Sequence, residues 1–132
     1  MTSIGEVMTG EVFTLTPDDT VDRLRDMMHV HDISCIPIVD KTGLCGIVTS
    51  TDVVEDWPAD QLLGSVMTDQ VRAVLAGTAV TVAARIMREE RIHHLVVGDG
   101  TSVDGVVSSW DLLNVLADIV DSGDQPFDGC ER

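Results

Sequence analysis

The sequence contains two seven-residue segments whose polar residues have the same types and spacing, GIVTSTD at residues 46–52 and GVVSSWD at residues 105–111. In each segment a hydroxyl is followed three residues later by a carboxylate. Such a pair forms a helix capping box, in which the hydroxyl accepts from a backbone N–H and the acid reaches back. The same groups suit a ribose-phosphate, because a helix start binds anions and a carboxylate accepts two hydrogen bonds from a vicinal diol. The spacing alone does not choose between a cap and a ligand site.

Both segments belong to an internal repeat with an offset of 59 residues. Residues 4–55 align with residues 63–114 without a gap and share 14 identities in 52 positions. The chain is therefore a duplicated unit. We expect one motif over residues 1–60, a second over 61–120, and an acidic, disordered tail over 121–132.

Each unit shows the pattern of a strand, a helix, two strands and a second helix. In the first unit Val21, Leu24 and Met28 recur at helical spacing, and in the second unit a closing helix places Leu113, Leu116 and Val120 on one face. A unit of about 60 residues buries too little apolar surface to fold alone. We predict an α+β (α/β) fold in which two β-α-β-β-α units, related by a pseudo-twofold axis, pack sheet to sheet and leave clefts between them.

Composition restricts the class of partner. The formal net charge is −15 and Lys41 is the only lysine, so the surface repels nucleic acid and anionic membranes. The sequence shows no secretory signal and no apolar run long enough to span a bilayer, which predicts a cytoplasmic protein. Three cysteines without a repeated spacing argue against a disulfide framework. The acidity fits either a salt-rich cytosol or ordinary solubility.

The motifs, taken together and in order, resemble a known family. Each unit has V-M-T near its start, and the first has FTLTPDDTV before its helix; ISCIPIVD or IHHLVVGDG follows, and then G-h-h-[ST]-x-x-D, where h is hydrophobic. Over residues 4–120 the chain resembles a tandem pair of CBS motifs, also called a Bateman module. The resemblance implies a regulatory module, not an enzyme, that forms a homodimer. It also implies two clefts for AMP, ADP, ATP or S-adenosylmethionine.

The resemblance further implies which residues contact the ligand. The final aspartate of each motif holds the ribose hydroxyls, the hydroxyl residue three positions earlier contacts ribose or phosphate, and the strands flank the adenine. The residues implied for the first site are Thr14, Thr16, Ile36, Pro37, Ile38, Ile47, Thr49, Thr51 and Asp52, and those for the second are Ser108 and Asp111. The second site departs further from the pattern, because Ala73 and Leu75 replace the hydroxyls of Thr14 and Thr16.

The pair His93-His94 has two interpretations. IHHLVVGD resembles the middle strand of the γ subunit of AMP-activated protein kinase, in which a His-Arg pair approaches nucleotide phosphates, and His94 takes the arginine position. An unperturbed histidine is mainly cationic only below about pH 6.5, so phosphate binding should strengthen towards pH 6. Alternatively, the pair is one half-buried and one surface histidine. A zinc site is disfavoured because no third ligand has a useful spacing.

Three functions therefore remain. The first is an adenosine-ligand sensor that acts on an unknown client protein or through its own dimer. The second is a structural dimerisation module with vestigial clefts. The third is an enzyme built on Cys35 and His93, for which the sequence offers no orienting residue. No covalently bound cofactor is expected, and Mg²⁺ would enter only with ATP. The shortage of Lys and Arg favours a monophosphate or the sulfonium of S-adenosylmethionine.

Overall fold

Residues 2–53 and 56–123 are described by the computed structural model, and they form an α+β fold of two similar halves. The helices are α1 (Val21–His31), α2 (Val80–Glu90) and α3 (Ser109–Gly123), and the strands are β1 (Cys35–Asp40), β2 (Gly43–Thr49), β3 (Ala73–Val74), β4 (His94–Val97) and β5 (Gly105–Ser108). Short 3-10 turns at Ile4–Glu6 and Leu63–Ser65 lie at the starts of the two copies of the sequence repeat. The predicted α+β class is confirmed.

The two halves contain different sheets. Strands β1 and β2 pair antiparallel in the first half, whereas β4 lies between parallel β3 and antiparallel β5 in the second. The strand expected at VFTLT is reduced to one parallel bridge between Leu15 and Ile38. The Asp19 carboxylate accepts from the backbone N–H of Thr16 at 2.8 Å, and Pro17 has no N–H to offer. The ladder therefore stops after Leu15.

Each half takes its first residues from the other copy of the repeat. Ile4 is fully buried in the second core with Leu95, and its counterpart Leu63 is fully buried in the first core with Leu24. Main-chain hydrogen bonds follow the same exchange and join Thr9 to Val106 and Thr68 to Ile47 at 2.9–3.1 Å. Neither core is complete without the other copy, which explains why the unit occurs as a pair.

The described residues at the end of the first copy do not form the helix that the sequence predicts. Residues 50–53 form a turn and residues 56–58 are irregular. Backbone carbonyls that would accept hydrogen bonds within a helix accept them from side chains instead. The Trp57 indole donates to the Asp52 carbonyl at 2.9 Å, and Arg25 donates to the carbonyls of Val53 and Trp57 at 3.4 Å. Pro58 also disfavours helical geometry at Trp57.

The second copy does end in a helix, and α3 extends to Gly123, three residues into the predicted tail. Leu113 and Leu116 of this helix are 54% and 56% exposed. The side chain of Val120 and the predicted tail over residues 124–132 lie outside the described residues.

Two features are absent from the residues that the structure describes. No helix among them is long and apolar enough to cross a membrane. The same residues include no group of three or more His, Cys, Asp or Glu side chains that could hold a metal ion. Cys35 and Cys45 are free thiols, and Cys130 lies outside the described residues.

Candidate functional site

The two hydroxyl–carboxylate motifs lie at the ends of β2 and β5, and in both the carboxylate accepts from the backbone N–H of the hydroxyl residue. The backbone N–H of Thr49 donates to Asp52 Oδ2 at 2.8 Å, and the Thr49 hydroxyl lies 3.3 Å from the same oxygen. The backbone N–H of Ser108 donates to Asp111 Oδ2 at 2.8 Å, while the Ser108 hydroxyl accepts from the Asp111 N–H at 3.1 Å. The helix capping box is thus confirmed for the second motif, where Ser108 precedes α3. In the first motif the Asp52 N–H donates to the Thr49 carbonyl and residues 50–53 form a turn, so the acid reaches back but caps no helix there.

Asp52 and Asp111 can accept hydrogen bonds beyond those within their own motifs. A carboxylate has two oxygens with about four lone-pair directions, and the bonds from the Thr49 and Ser108 N–H groups engage Oδ2. Asp52 and Asp111 are half-buried, and each borders a cavity. The same acid can therefore cap its chain segment and accept a further hydrogen bond from a molecule in the cavity.

The first cleft, of about 230 Å³, lies between the Thr49–Asp52 motif and the second copy of the repeat. The first copy contributes the end of β2 and the turn that follows it. The second copy contributes the segment before β3 and the start of β4. The lining residues are Ile47, Thr49, Ser50, Thr51, Asp52, Thr68, Gln70, Val71, Arg72, Ile92, His93 and His94.

The second cleft, of about 180 Å³, repeats this arrangement with the copies exchanged. Its lining residues are Thr9, Glu11, Val12, Phe13, Asp32, Ile33, Ser34, Cys35, His94, Val106, Ser108 and Asp111. Most of these positions correspond to first-cleft positions under the 59-residue offset, for example Phe13 to Arg72 and Cys35 to His94. His94 borders both clefts.

The structure brings together part of each predicted ligand set. Ile47, Thr49, Thr51, Asp52, His93 and His94 line the first cleft, and Ser108 and Asp111 line the second. Thr14 and Thr16 are exposed and line neither cleft. Ile36, Pro37 and Ile38 are fully buried in the core. The wall facing each motif comes from the other copy, whereas Thr14 and Thr16 belong to the same copy as the Thr49–Asp52 motif. Ligand contacts of all these residues remain a prediction from the resemblance.

The two halves of the chain match one known protein family. The model of the CBS domain family matches residues 4–57 and 63–118, which together cover most of the sequence. The chain belongs to the CBS domain family. The two matched ranges correspond to the two halves, so the chain carries a CBS pair.

Curated relatives include chains of similar length and longer ones. The chain is 26% identical over 117 residues to the CBS domain-containing protein YhcV of Bacillus subtilis, with 85% of this chain and 84% of that protein covered. It is 31% identical over 110 residues to an inosine-5'-monophosphate dehydrogenase of Methanocaldococcus jannaschii. That alignment covers 82% of this chain but only 22% of the enzyme.

Solved structures share the fold over almost their whole length. The CBS domain pair of protein MJ0100, in complex with 5'-methylthioadenosine and S-adenosyl-L-methionine, superposes with a TM-score of 0.84 at 23% identity, covering 91% of this chain and 99% of that one. CBSX2 in complex with AMP gives a TM-score of 0.78 at 20% identity, with 90% and 98% covered. At these identities the likeness shows the fold.

The glycine of each motif has a role that the sequence did not reveal. A Cβ added to Gly46 would lie 2.9 Å from Met67 Cγ and 3.0 Å from the Thr68 carbonyl oxygen. At Gly105 the equivalent contacts are with Met8 and the Thr9 carbonyl. Only glycine lets the V-M-T segment of the opposite copy approach this closely. The available signal was that both V-M-T and the glycine recur in the two copies of the repeat.

His93 and His94 differ in their surroundings in this CBS pair. His93 is exposed, with Nδ1 3.4 Å from the Ser109 hydroxyl, whereas His94 is half-buried between the two clefts. Burial lowers the pKa of His94, and the neighbouring His93 lowers it further against the opposing effect of Asp111. His94 is therefore mainly neutral at pH 7 and offers one N–H donor and one acceptor.

The Cys35 thiol lies in the second cleft and is protonated. Burial, with a smaller effect from the Asp52 carboxylate, raises the pKa of Cys35 to about 12. A thiol acts as a nucleophile in its thiolate form. The environment of Cys35 thus opposes the catalytic role considered for it.

Proposed function

We propose that this CBS pair is a regulatory module that binds an adenosine-containing ligand in its two clefts. Occupancy of the clefts is transmitted to a client protein or to the module's own dimer. The candidate ligands are AMP, ADP, ATP with Mg²⁺, and S-adenosylmethionine. The module itself catalyses no reaction.

The proposal rests chiefly on the equivalence of the two clefts. Each places a half-buried carboxylate, held in position by a backbone N–H of its own motif, against a wall supplied by the other copy. A fixed carboxylate at the end of a strand is suited to the two hydroxyls of a ribose. Solved CBS pairs of the same fold are described in complex with AMP and with 5'-methylthioadenosine and S-adenosyl-L-methionine.

Calorimetric titration with these ligands tests the proposal. We expect Asp52→Ala to weaken binding in the first cleft about tenfold or more, because hydrogen bonds to a charged group contribute about 1.5–3 kcal/mol. Binding must be compared in proteins shown to be folded by circular dichroism, since the substitution also removes the hydrogen bond from the Thr49 N–H.

Asp19→Ala is the matched control for the loss of a cap. Asp19 accepts from the backbone N–H of Thr16 at 2.8 Å, as Asp52 does from Thr49, but it lines neither cleft. We expect this variant to lose stability and keep its affinity. If both variants bind equally well, the motif acts only as a cap.

One observation favours the alternative of a structural dimerisation module with vestigial clefts. A third cavity, of about 560 Å³, lies between α2 and α3 and is lined mainly by apolar side chains, including Ala84, Leu112 and Leu116. Its exposed leucines could pack against a second chain. Sedimentation velocity distinguishes a monomer of this chain from a dimer. A stable dimer that gives no heat with any adenosine ligand would support the alternative and contradict the sensor.

A further inference from the structure

The two clefts differ in charge at positions that the repeat makes equivalent. Gln70 of the first cleft corresponds to Glu11 of the second, and Arg72 corresponds to Phe13. With histidines neutral, Asp52 and Arg72 balance in the first cleft. The charged residues lining the second cleft are Glu11, Asp32 and Asp111. The formal charges of the two linings are thus 0 and −3.

Arg72 gives the first cleft a donor set suited to a phosphate. Its Nε lies 3.2 Å from Glu90 Oε2, and both side chains are about half exposed. A guanidinium has five N–H donors, so this ion pair at Nε is compatible with further bonds from the terminal nitrogens. His93 and His94 line the same cleft and add imidazole N–H groups.

The second cleft presents the opposite character. Three carboxylates repel a phosphate and attract a cation; Asp111 is half-buried, and water screens the exposed Glu11 and Asp32 more strongly. Phe13 replaces the guanidinium with an aromatic ring, which stacks on His31 with a centroid distance of 3.9 Å. An aromatic face is itself attractive to a cation.

We propose that the two clefts select different adenosine ligands. The first takes a ligand bearing a phosphate, with Arg72 as its specificity-determining residue, and the second takes a positively charged ligand without phosphate. This inference rests on the proposed function. The chain would then sense two chemically distinct ligands at once, one at each cleft.

Calorimetry with AMP and S-adenosylmethionine tests the selection. We expect one AMP per chain, lost in Asp52→Ala and kept in Asp111→Ala, and the reverse pattern for S-adenosylmethionine. Arg72→Gln should weaken AMP about tenfold, because it removes charged hydrogen bonds to the phosphate. It should leave 5'-methylthioadenosine, which has no phosphate, unaffected. Arg88→Gln is the matched control, since Arg88 is exposed on α2 and lines neither cleft.

A reciprocal exchange at one pair of equivalent positions sharpens the test without changing side-chain size. Gln70→Glu should weaken AMP in the first cleft, and Glu11→Gln should weaken S-adenosylmethionine in the second, each about two- to fivefold because these side chains are exposed. Glu89→Gln, on the exposed face of α2, controls for the change in net charge.

Different failures lead to different conclusions. Two AMP molecules per chain with equal affinity, or loss of AMP in Asp111→Ala and not in Asp52→Ala, would overturn the selection while supporting the adenosine function. The same holds if Asp52→Ala abolishes AMP binding and Arg72→Gln leaves it unchanged. If no adenosine compound binds the folded protein, the proposed function fails and the selection fails with it.

Discussion

The first copy of the CBS motif ends in a turn and an irregular segment, whereas the second ends in the fifteen-residue helix α3. One contribution to the difference comes from a pair of equivalent positions on the central helices. Arg25 of α1 donates to the carbonyls of Val53 and Trp57 and holds the irregular segment against α1. Ala84, its counterpart on α2, has no side chain long enough to do so and lines the apolar cavity beside α3.

The two ends of the molecule consequently differ in character. At the first end, Trp57 packs on the core and its indole N–H is bonded to the Asp52 carbonyl. At the second end, Leu113 and Leu116 remain more than half exposed. Duplication gave two equivalent clefts. Substitutions at a few equivalent positions then let Arg25 and Trp57 close the first end and left an apolar surface at the second.

The exchange of first segments should carry the largest energetic effect. Leu63→Ala removes a fully buried side chain from the first core, and Ile4→Ala does the same in the second. Each should lower the free energy of unfolding by about 2–5 kcal/mol. Urea denaturation followed by circular dichroism measures the change.

Leu62→Ala is the control for this pair, because Leu62 is adjacent in sequence but 47% exposed, and its loss should change little. Since each core contains a residue of the other copy, Leu63→Ala and Ile4→Ala should each leave a single cooperative transition. Two separate transitions would show that the halves unfold independently.

The glycines of the two motifs should give the next largest effect. Gly46→Ala places a Cβ against Met67 and the Thr68 carbonyl, and such overpacking costs about 1–3 kcal/mol. Gly10→Ala, where no atom lies within 4 Å of the added Cβ, is the matched control. Thermal unfolding compares the two. Equal melting temperatures would mean that the V-M-T segment moves away easily.

A smaller effect should distinguish the two copy ends. Arg25→Ala removes hydrogen bonds from two backbone carbonyls, and because both bonds are long, at 3.4 Å, we expect a loss of about 1 kcal/mol. Tryptophan fluorescence should also report a more exposed Trp57. Arg88→Ala is the surface control. Unchanged fluorescence in Arg25→Ala would show that Trp57 is held by its own contacts.

Local features of this CBS pair could be predicted from the sequence, because they depend on neighbours in the chain. The spacing of Val21 and Leu24 gave the start of α1, where Thr20 accepts from the Arg23 N–H. The spacing of hydroxyl and carboxylate predicted the capping box of Ser108 and Asp111 and the hydrogen bond from the Thr49 N–H to Asp52. The 59-residue repeat gave two equivalent halves, which the structure and the family match confirm.

The composition of each cleft could not be predicted in the same way. A hydrophobic pattern defines an element but does not say which copy supplies the strand beside it. Thr14 and Thr16 were therefore assigned to the motif of their own copy, whereas the first cleft is completed by Gln70 and Arg72. The end of the first copy was missed because Arg25 and Trp57 act on backbone carbonyls, which leave no periodic signal.

The smallest effect concerns pH and the histidine shared by the clefts. Since the pKa of His94 is lower in the folded chain than in the unfolded one, the unfolded state binds more protons near pH 6. Stability should therefore fall as pH decreases from about 7 through the unfolded value of about 6.5. His94→Gln should lessen that fall between pH 7.5 and 5.5 in thermal unfolding, whereas His29→Gln, at an exposed position of α1, should not.

A bound phosphate next to His94 would stabilise the cationic form of the imidazole and so oppose the lowering of its pKa. The wild type should consequently lose less stability at pH 5.5 with saturating AMP than without it. An equal loss with and without AMP would mean that His94 does not contact the phosphate.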